Sequence, residues 1–340
     1  MNHQLYVDFP LDETNQVLTN LWFMKVIAQY GSPDYFFTGY FRVNETSRLN
    51  RSILASITEN DTGRPVFAQM IGESIPDLVR TAQELCRDNI AGVDLNMGCP
   101  APRVYRKNVG GGLLREPEKV ERILAELRST VSDRPLTVKM RIGFDNTDTF
   151  YEILDKINRH NIDLLSLHGR TVKDMYHGEV RYDLIAEAVK RVDCPVLANG
   201  NINSATNAQE VLSQTGAAGV MVGRWAIANP WIFNQIRQAL RGEIITPVSL
   251  VEVRNYIDRL CQTPNSAAIP VRSRSVSYGE SRVGYLKMFL NYIALLVDAE
   301  GHFLRLMRKT QTEVELLNLC DRFLLGDSNE NFALAPYSKI

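Results

Sequence analysis

From Leu5 to Phe233, short apolar runs rich in Val, Ile and Leu alternate with longer amphipathic segments, the pattern of a parallel sheet covered by helices. Eight runs read as strands: Leu5–Phe9, Tyr35–Thr38, Pro65–Met70, Gly92–Asn96, Leu136–Arg141, Leu164–Leu167, Pro195–Ala198 and Gly219–Val222. Between them, Pro76–Asp88, Pro117–Val131, Thr149–His160, Asp183–Arg191 and Ala205–Gln214 carry apolar residues three or four apart and read as helices. Eight βα units in about 240 residues is the size of a (β/α)8 TIM barrel. A doubly wound sheet is the alternative, but its G-x-G-x-x-G turn is absent from the first 40 residues. After Ala239 the strand signal stops, and Leu250–Cys261, Arg282–Val297 and Thr312–Leu324 are helical in period. The expected organisation is α/β, a barrel over residues 1–242 followed by an all-α domain over 243–340.

Barrel enzymes place their chemistry at the C-terminal ends of the strands and bind phosphate in the last two βα loops. Six consecutive strand ends here are polar or glycine-rich: Gln69; Asn96 and Cys99; Lys139 and Arg141; His168-Gly169-Arg170; Asn199-Gly200-Asn201; Gly223-Arg224. Any one of them alone reads as a satisfied structural residue. Together they read as one pocket of convergent polar groups.

Within that set, Val93–Pro100 delivers a thiol from a strand into a loop. Gly98 opens backbone conformations closed to other residues, and Pro100 keeps Cys99 out of helical geometry. By itself Cys99 would be a small buried hydrophobe. At the mouth of a polar pocket it reads instead as a general acid, since a thiol of ordinary pKa, about 8.5, is protonated at neutral pH. The glycines and Arg224 of the last two loops suit a phosphate monoester. Lys139 and Gln69 could meet the polar ring edge of a flavin, where a cation stabilises the anionic reduced form.

Composition narrows the field without naming an activity. The 340 residues carry a formal charge of -1, so any polyanion must be met by a local patch. One such patch is Arg272, Arg274, Arg282, Lys287, Arg305, Arg308 and Lys309, close to Tyr278, Tyr285 and Tyr292. It reads either as a solvated helical face or as a track for a phosphate backbone with stacking side chains. Cys86, Cys99, Cys194, Cys261 and Cys320 are odd in number and lack CxxC spacing, which argues against a disulfide framework or a metal site and fits a reducing cytoplasm. No segment approaches the ~20 apolar residues of a membrane span, and no leader is visible at the start.

The segments DLNMGCPAPRVYRKNVGGGLLREPE, TVKMRIGF, LSLHGRT, PVLANGNI and AGVMVGRWAIANPWIF resemble the dihydrouridine synthases, flavoenzymes that reduce uridines of the tRNA D-loop with FMN and NADPH. The resemblance runs from about Val17 to Phe233 and continues into YLKMFLNYI and FLRLMRK, which are similar to that family's tRNA-binding helices. It implies that Cys99 is the proton donor to uracil C5 while a hydride from FMN reaches C6, and that Asn96 helps hold the base. Pro10, Leu11, Gln69, Lys139, His168, Asn199, Gly200, Asn201, Gly223 and Arg224 would bind FMN, the last two loops at its phosphate. Arg42, Arg141 and Arg170 would lie on the substrate side, with Arg272, Arg274, Lys287 and Arg308 on the tRNA. Phe41-Arg42-Val43 resembles the subfamily acting on uridine 16. Apart from the resemblance, the protein is expected to be cytoplasmic and a monomer.

Two stretches depart from the family pattern. Its opening Ala-Pro-Met-x-Gly motif, which packs against the flavin, corresponds here to Asp8–Gln16, where only the proline is kept. Its Thr-Glu on the second strand appears as Thr38-Gly39, which takes a carboxylate from the pocket rim. Either change could weaken flavin affinity or alter the substrate. Two other readings therefore stand beside the leading one: an FMN-dependent dehydrogenase of free pyrimidines, and a tRNA-binding module without catalysis.

Overall fold

The computed structural model describes residues 3–7, 20–262, 278–326 and 331–334, with the backbone alone at 278–281 and 331. All eight apolar runs form strands, and a short ninth strand, Phe41–Arg42, joins them. In chain order they are β1 (Gln4–Val7), β2 (Tyr35–Phe37), β3 (Phe41–Arg42), β4 (Val66–Ile71), β5 (Gly92–Met97), β6 (Leu136–Arg141), β7 (Leu164–His168), β8 (Val196–Asn199) and β9 (Gly219–Val222). Every pairing among them is parallel, in the order β2-β1-β9-β8-β7-β6-β5-β4-β3, and an additional β2–β4 pairing closes the ring. Closure removes both sheet edges and makes the TIM barrel.

The barrel has eight staves because β2 and β3 share one. Phe37 lies level with Phe67 and Phe41 with Met70. Three residues, Thr38-Gly39-Tyr40, therefore oppose two, Ala68-Gln69, on the neighbouring strand. This is a bulge, a device that bends a strand and re-aims a side chain. The strand expected over Tyr35–Thr38 accordingly breaks at Thr38 and resumes three residues later. The first strand ends at Val7 among described residues; Asp8 and Phe9, expected in it, lie outside them.

Alternation along the strands sends Tyr6, Phe37, Phe67, Leu164, Leu197 and Met221 into one buried interior cluster. Phe37 stacks on Phe67 with ring centroids 4.9 Å apart, and Tyr6 on Tyr35 at 5.0 Å. Each such side chain contributes about 1.5–3 kcal/mol through burial. The cluster fills the barrel below the polar positions that follow two residues later on several of these strands.

The outer helices form where the amphipathic period places them. Pro76 and Asp77 open Ile75–Leu85, which buries Leu78, Ala82 and Leu85. Pro117 and Glu118 open Pro117–Thr130, which buries Val120, Ile123, Leu124 and Leu127. Proline in the first helical turn removes an N–H that has no intrahelical partner there anyway. Phe150–Arg159, Tyr182–Arg191 and Ala205–Thr215 follow the same order.

Compactness divides the chain into two units. Among described residues the first holds β1, Pro33–Ile202 and Ala208–Gly223; the second holds the helix Leu21–Gly31, Asn203–Asn207 and the chain from Arg224 onward. In the second unit Trp225–Ala228 and Ile232–Leu240 join Leu250–Cys261, Tyr278–Ile293, His302–Lys309 and Glu313–Leu324. Capping boxes start two of these helices, Ser249 with Glu252 and Thr312 with Glu315. Its core is aromatic, with Tyr30 edge-on to Trp231 and Tyr256, and Phe23 against Phe289. Two short strands, β10 (Val248–Ser249) and β11 (Asn331–Phe332), pair antiparallel.

Candidate active site

Strand register brings the polar positions of the first unit side by side toward the C-terminal ends of the strands. Gln69 lies beside Asp94, Asn96 beside Lys139, Lys139 beside Ser166, and His168 beside both Arg141 and Asn199. Phe67, Leu164 and Leu197 of the apolar plug precede Gln69, Ser166 and Asn199 by two residues, so these side chains face the interior too. Gln69, Asn96, Arg141, His168 and Arg170 are buried, and Lys139 and Asn199 half-buried.

A continuous hydrogen-bond chain runs through this layer. Thr38 Oγ1 accepts from the backbone N–H of Gln69 at 3.0 Å. Gln69 Nε2 donates to Asp94 Oδ2 at 2.9 Å, and Thr137 Oγ1 donates to Asp94 Oδ1 at 2.6 Å. Asn96 Nδ2 donates to Gln69 Oε1 at 2.8 Å. The chain ends at the cysteine loop, where Asn96 Oδ1 accepts from the backbone N–H groups of both Gly98 and Cys99 at 3.0 Å. Asn96 therefore fixes the path by which the strand becomes the loop, and Gln69 fixes Asn96. One N–H and one lone pair of the Gln69 amide are left over by these bonds.

Arg141 holds the same loop from the other side. Its Nε donates to the Gly98 carbonyl at 3.0 Å, while Nη1 donates to the carbonyls of Thr171 at 2.8 Å and Met175 at 2.7 Å. Its guanidinium carbon lies 5.7 Å from the Tyr176 ring centre. Burial pulls its pKa down to about 10, so it remains a cation at neutral pH. Arg141, expected on the substrate side, ties the loops after β5 and β7 together. Two glycines then pack close to the cysteine: the Gly111 amide donates to the Cys99 carbonyl at 3.2 Å, and a Cβ on Gly110, whose φ is +58°, would meet Cys99 Cβ at 3.0 Å. Larger residues would push the thiol out of place.

Cys99 itself is half-buried, with its Sγ 3.9 Å from the hydroxyl of Tyr40, the last residue of the bulge in the second stave. Burial, and then Cys99, raises the Tyr40 pKa well above that of an ordinary phenol. The exposed Arg42 places its guanidinium carbon 5.9 Å from the Tyr40 ring centre. Tyr40 was not among the residues singled out from sequence, nor were Thr38 for its amide contact, Asp94, Thr137 or Ser166. Asp94 did leave a signal: it stands two positions before Asn96 in a run otherwise apolar, which puts it on the same face.

The opposite wall holds His168, Arg170 and the turn Asn199-Gly200-Asn201. Asn199 Nδ2 donates to the Met221 carbonyl at 2.7 Å, and the Tyr182 hydroxyl donates to that of Gly200, also at 2.7 Å. Gly200 has φ +117°, a conformation L side chains rarely adopt, and a Cβ there would lie 3.0 Å from Val180 Cγ1, so the turn needs glycine. Arg170 donates twice to the Gly178 carbonyl and, at 3.3 Å, to Asn201 Oδ1. Ser166 Oγ, level with Lys139, is buried and makes no hydrogen bond among the described residues. An orphan hydroxyl, a half-buried ammonium and spare amide capacity on one interior layer fit the polar edge of a flavin ring.

Other expected residues fall elsewhere. Gly223 is the last residue of the first unit and Arg224 belongs to the second, where it precedes the helix Trp225–Ala228. Lys287 Nζ donates to the carbonyl of Arg308 at 3.0 Å and to that of Thr310, closing the C-terminal end of His302–Lys309. Arg308 Nε donates to Asn291 Oδ1 at 2.9 Å and its side chain is exposed. Pro10, Leu11, Arg272 and Arg274 lie outside the described residues. No cluster of metal-ligating side chains and no helix long and apolar enough to cross a membrane occurs among the described residues.

The family model of dihydrouridine synthase (Dus) matches residues 16–321. The chain belongs to that family. Its members are flavin-dependent enzymes, in keeping with the polar layer above. Curated relatives include the tRNA-dihydrouridine synthase B of Proteus vulgaris, 36 % identical over 193 residues, which are 56 % of this chain and 59 % of the relative. That of Yersinia pestis is 36 % identical over 63 % of this chain and 67 % of its own length. That of Escherichia coli K12 is 40 % identical over 48 % and 52 %. The chain thus spans between about half and two thirds of the length of these relatives. Among solved structures, the old yellow enzyme homologue from Zymomonas mobilis shares the barrel with a TM-score of 0.51 at 13 % identity, covering 72 % of this chain and 90 % of that one. Histamine dehydrogenase from Rhizobium sp. 4-9 does so with a TM-score of 0.53 at 12 % identity, covering 69 % and 46 %. At such identities the likeness is one of fold.

Proposed function

We propose that the protein is a tRNA-dihydrouridine synthase, reducing the C5–C6 double bond of a D-loop uridine in the cytoplasm with NADPH as reductant and FMN as its flavin. The observation that carries this reading is the hydrogen-bond chain from Thr38 through Gln69, Asp94 and Asn96 to the amide of Cys99. It places a thiol at the mouth of a barrel whose interior layer suits a flavin. FMN, when bound, supplies the hydride that goes to C6.

The chain's own residues do the rest. Lys139 offers the cation that stabilises a reduced, anionic ring, and Ser166 and the spare capacity of Gln69 hydrogen-bond its polar edge. The turn Asn199-Gly200-Asn201 and Gly223 are phosphate ligands that the family resemblance implies, with His168 beside Asn199. Cys99 gives its proton to C5 from a loop held by Asn96 and Arg141. Arg42 and the basic residues beyond 243, in a domain distinct from the barrel of 1–242, meet the tRNA backbone. Phe41-Arg42-Val43 resembles the uridine-16 subfamily, whereas the relatives named above carry the designation B; the position is read from the modified tRNA.

The test is an anaerobic spectrum. The purified protein should show a flavin absorption that NADPH bleaches and that unmodified tRNA then restores. Restoration by free uracil or uridine would move the assignment to a dehydrogenase of free pyrimidines. A protein that binds tRNA in a salt-sensitive way yet takes up no FMN would be a binding module.

A further inference from the structure

The bulge in the second stave puts a hydroxyl group against the proton donor. Thr38 is pinned by its bond to the Gln69 amide, β3 is pinned by its pairing to Met70 and Ile71, and the extra residue between them turns Tyr40 inward. Tyr40 is buried, its hydroxyl 3.9 Å from Cys99 Sγ. Resting on the reading of Cys99 as the proton donor, we propose that Tyr40 is a positioning residue whose hydroxyl donates a hydrogen bond to the Cys99 thiolate left by proton transfer.

The chemistry fixes the direction of that bond. In the resting enzyme either group can be the donor. During transfer the S–H bond breaks, a C–H bond forms at C5, and the electron pair of the old bond stays on sulfur. A thiolate can only accept, so the Tyr40 O–H becomes the donor and keeps its own proton. The contact is long for a neutral pair and would shorten as charge develops, because hydrogen bonds to ions are shorter and stronger. Water returns the proton to sulfur once the product has left. Burial suits Tyr40 to this part, since a phenol held well above its ordinary pKa does not ionise in competition with the thiol.

The charged groups that act on the pair are Arg42, beside the Tyr40 ring, and Arg141, whose charge is felt by Cys99. Both are kept in Tyr40→Phe, which removes one oxygen and preserves the ring. The variant removes the hydroxyl together with its hydrogen bond to Arg42, and Arg42→Gln, which alters that bond while keeping the hydroxyl, separates the two contributions.

The experiment is alkylation of Cys99 by iodoacetamide across pH, followed on the Cys99 peptide by mass spectrometry in the full-length protein. Tyr40→Phe should raise the pH midpoint, with alkylation at neutral pH about tenfold slower, the loss expected for one charge-assisted hydrogen bond. In turnover it should lower kcat and leave the KM for tRNA unchanged, which a merely packing role would not do. A midpoint equal to that of the wild type overturns the Tyr40 assignment even if both proteins make dihydrouridine. A wild-type protein that never reduces tRNA overturns the reading beneath it, whatever the midpoint.

Discussion

Replacing Asn96 by Ala tests how the thiol is held. The side chain accepts from the amides of Gly98 and Cys99 and donates to Gln69, all at 2.8–3.0 Å. Each bond to a loop amide contributes about 0.5–1.5 kcal/mol net, so losing both frees the loop by about 1–3 kcal/mol. At 1.4 kcal/mol per factor of ten, the two amides should exchange their protons about 5- to 150-fold faster. Hydrogen exchange read by mass spectrometry at single-amide resolution gives that number directly, and it needs no assumption that both units unfold together. Asn96→Asp is the control. It keeps an acceptor for the loop but sets a carboxylate against Gln69 Oε1, so protection of the Cys99 amide should persist. Unchanged exchange at Gly98 and Cys99 in Asn96→Ala would mean that the loop is held by Arg141 and the glycines alone, and the chain of bonds from Thr38 would lose its purpose.

Two further outcomes follow from the same geometry. In Gly111→Ala the new Cβ would lie 2.4 Å from Val172 Cγ2 and 2.9 Å from the Cys99 carbonyl oxygen; overpacking of this kind costs about 1–3 kcal/mol, so the variant should melt earlier and its Cys99 alkylation rate should change, and a variant identical to wild type on both counts would contradict the described packing. On the outer wall, bonds from Lys156 and then Arg159 hold the Glu121 carboxyl down to about 2. Because the folded carboxylate binds fewer protons than the unfolded one, the stability it contributes is present above the ordinary glutamate pKa and is lost as pH falls from there to about 2. Glu121→Gln should flatten the acid limb of a melting-temperature profile, and an equally steep limb would show that the Glu121 pair adds no acid-sensitive stability.

The barrel was legible in the chain because a buried parallel strand is a run of Val, Ile and Leu with a helical period on either side, and those runs need no knowledge of their partners. Strand ends could be ranked for the same reason: a polar side chain that closes a buried apolar run must either be satisfied where it stands or line a pocket. What escaped depends on register. Tyr40 stands in a stretch that reads as loop, and only the count of residues opposite Phe67 and Met70 shows the bulge that turns it toward Cys99. Arg141 stood out as an arginine at a barrel mouth, but its part in holding the cysteine loop did not: its three carbonyl partners, Gly98, Thr171 and Met175, come from two loops far apart in sequence. The two-residue strand β3 and the helix Leu21–Gly31 were missed because each is shorter, or less strictly periodic, than the patterns that identified the others.

The measurement that bears most directly on the account is dihydrouridine content of an unmodified tRNA incubated with FMN-loaded protein and NADPH, wild type beside Cys99→Ala. Wild-type protein should add two hydrogens to a D-loop uridine, and the variant, keeping its flavin spectrum, should do so about 100-fold more slowly or worse, the usual loss on removing a general acid. Dihydrouridine formed by Cys99→Ala at the wild-type rate would contradict the assignment of the thiol and with it the function argued from its placement.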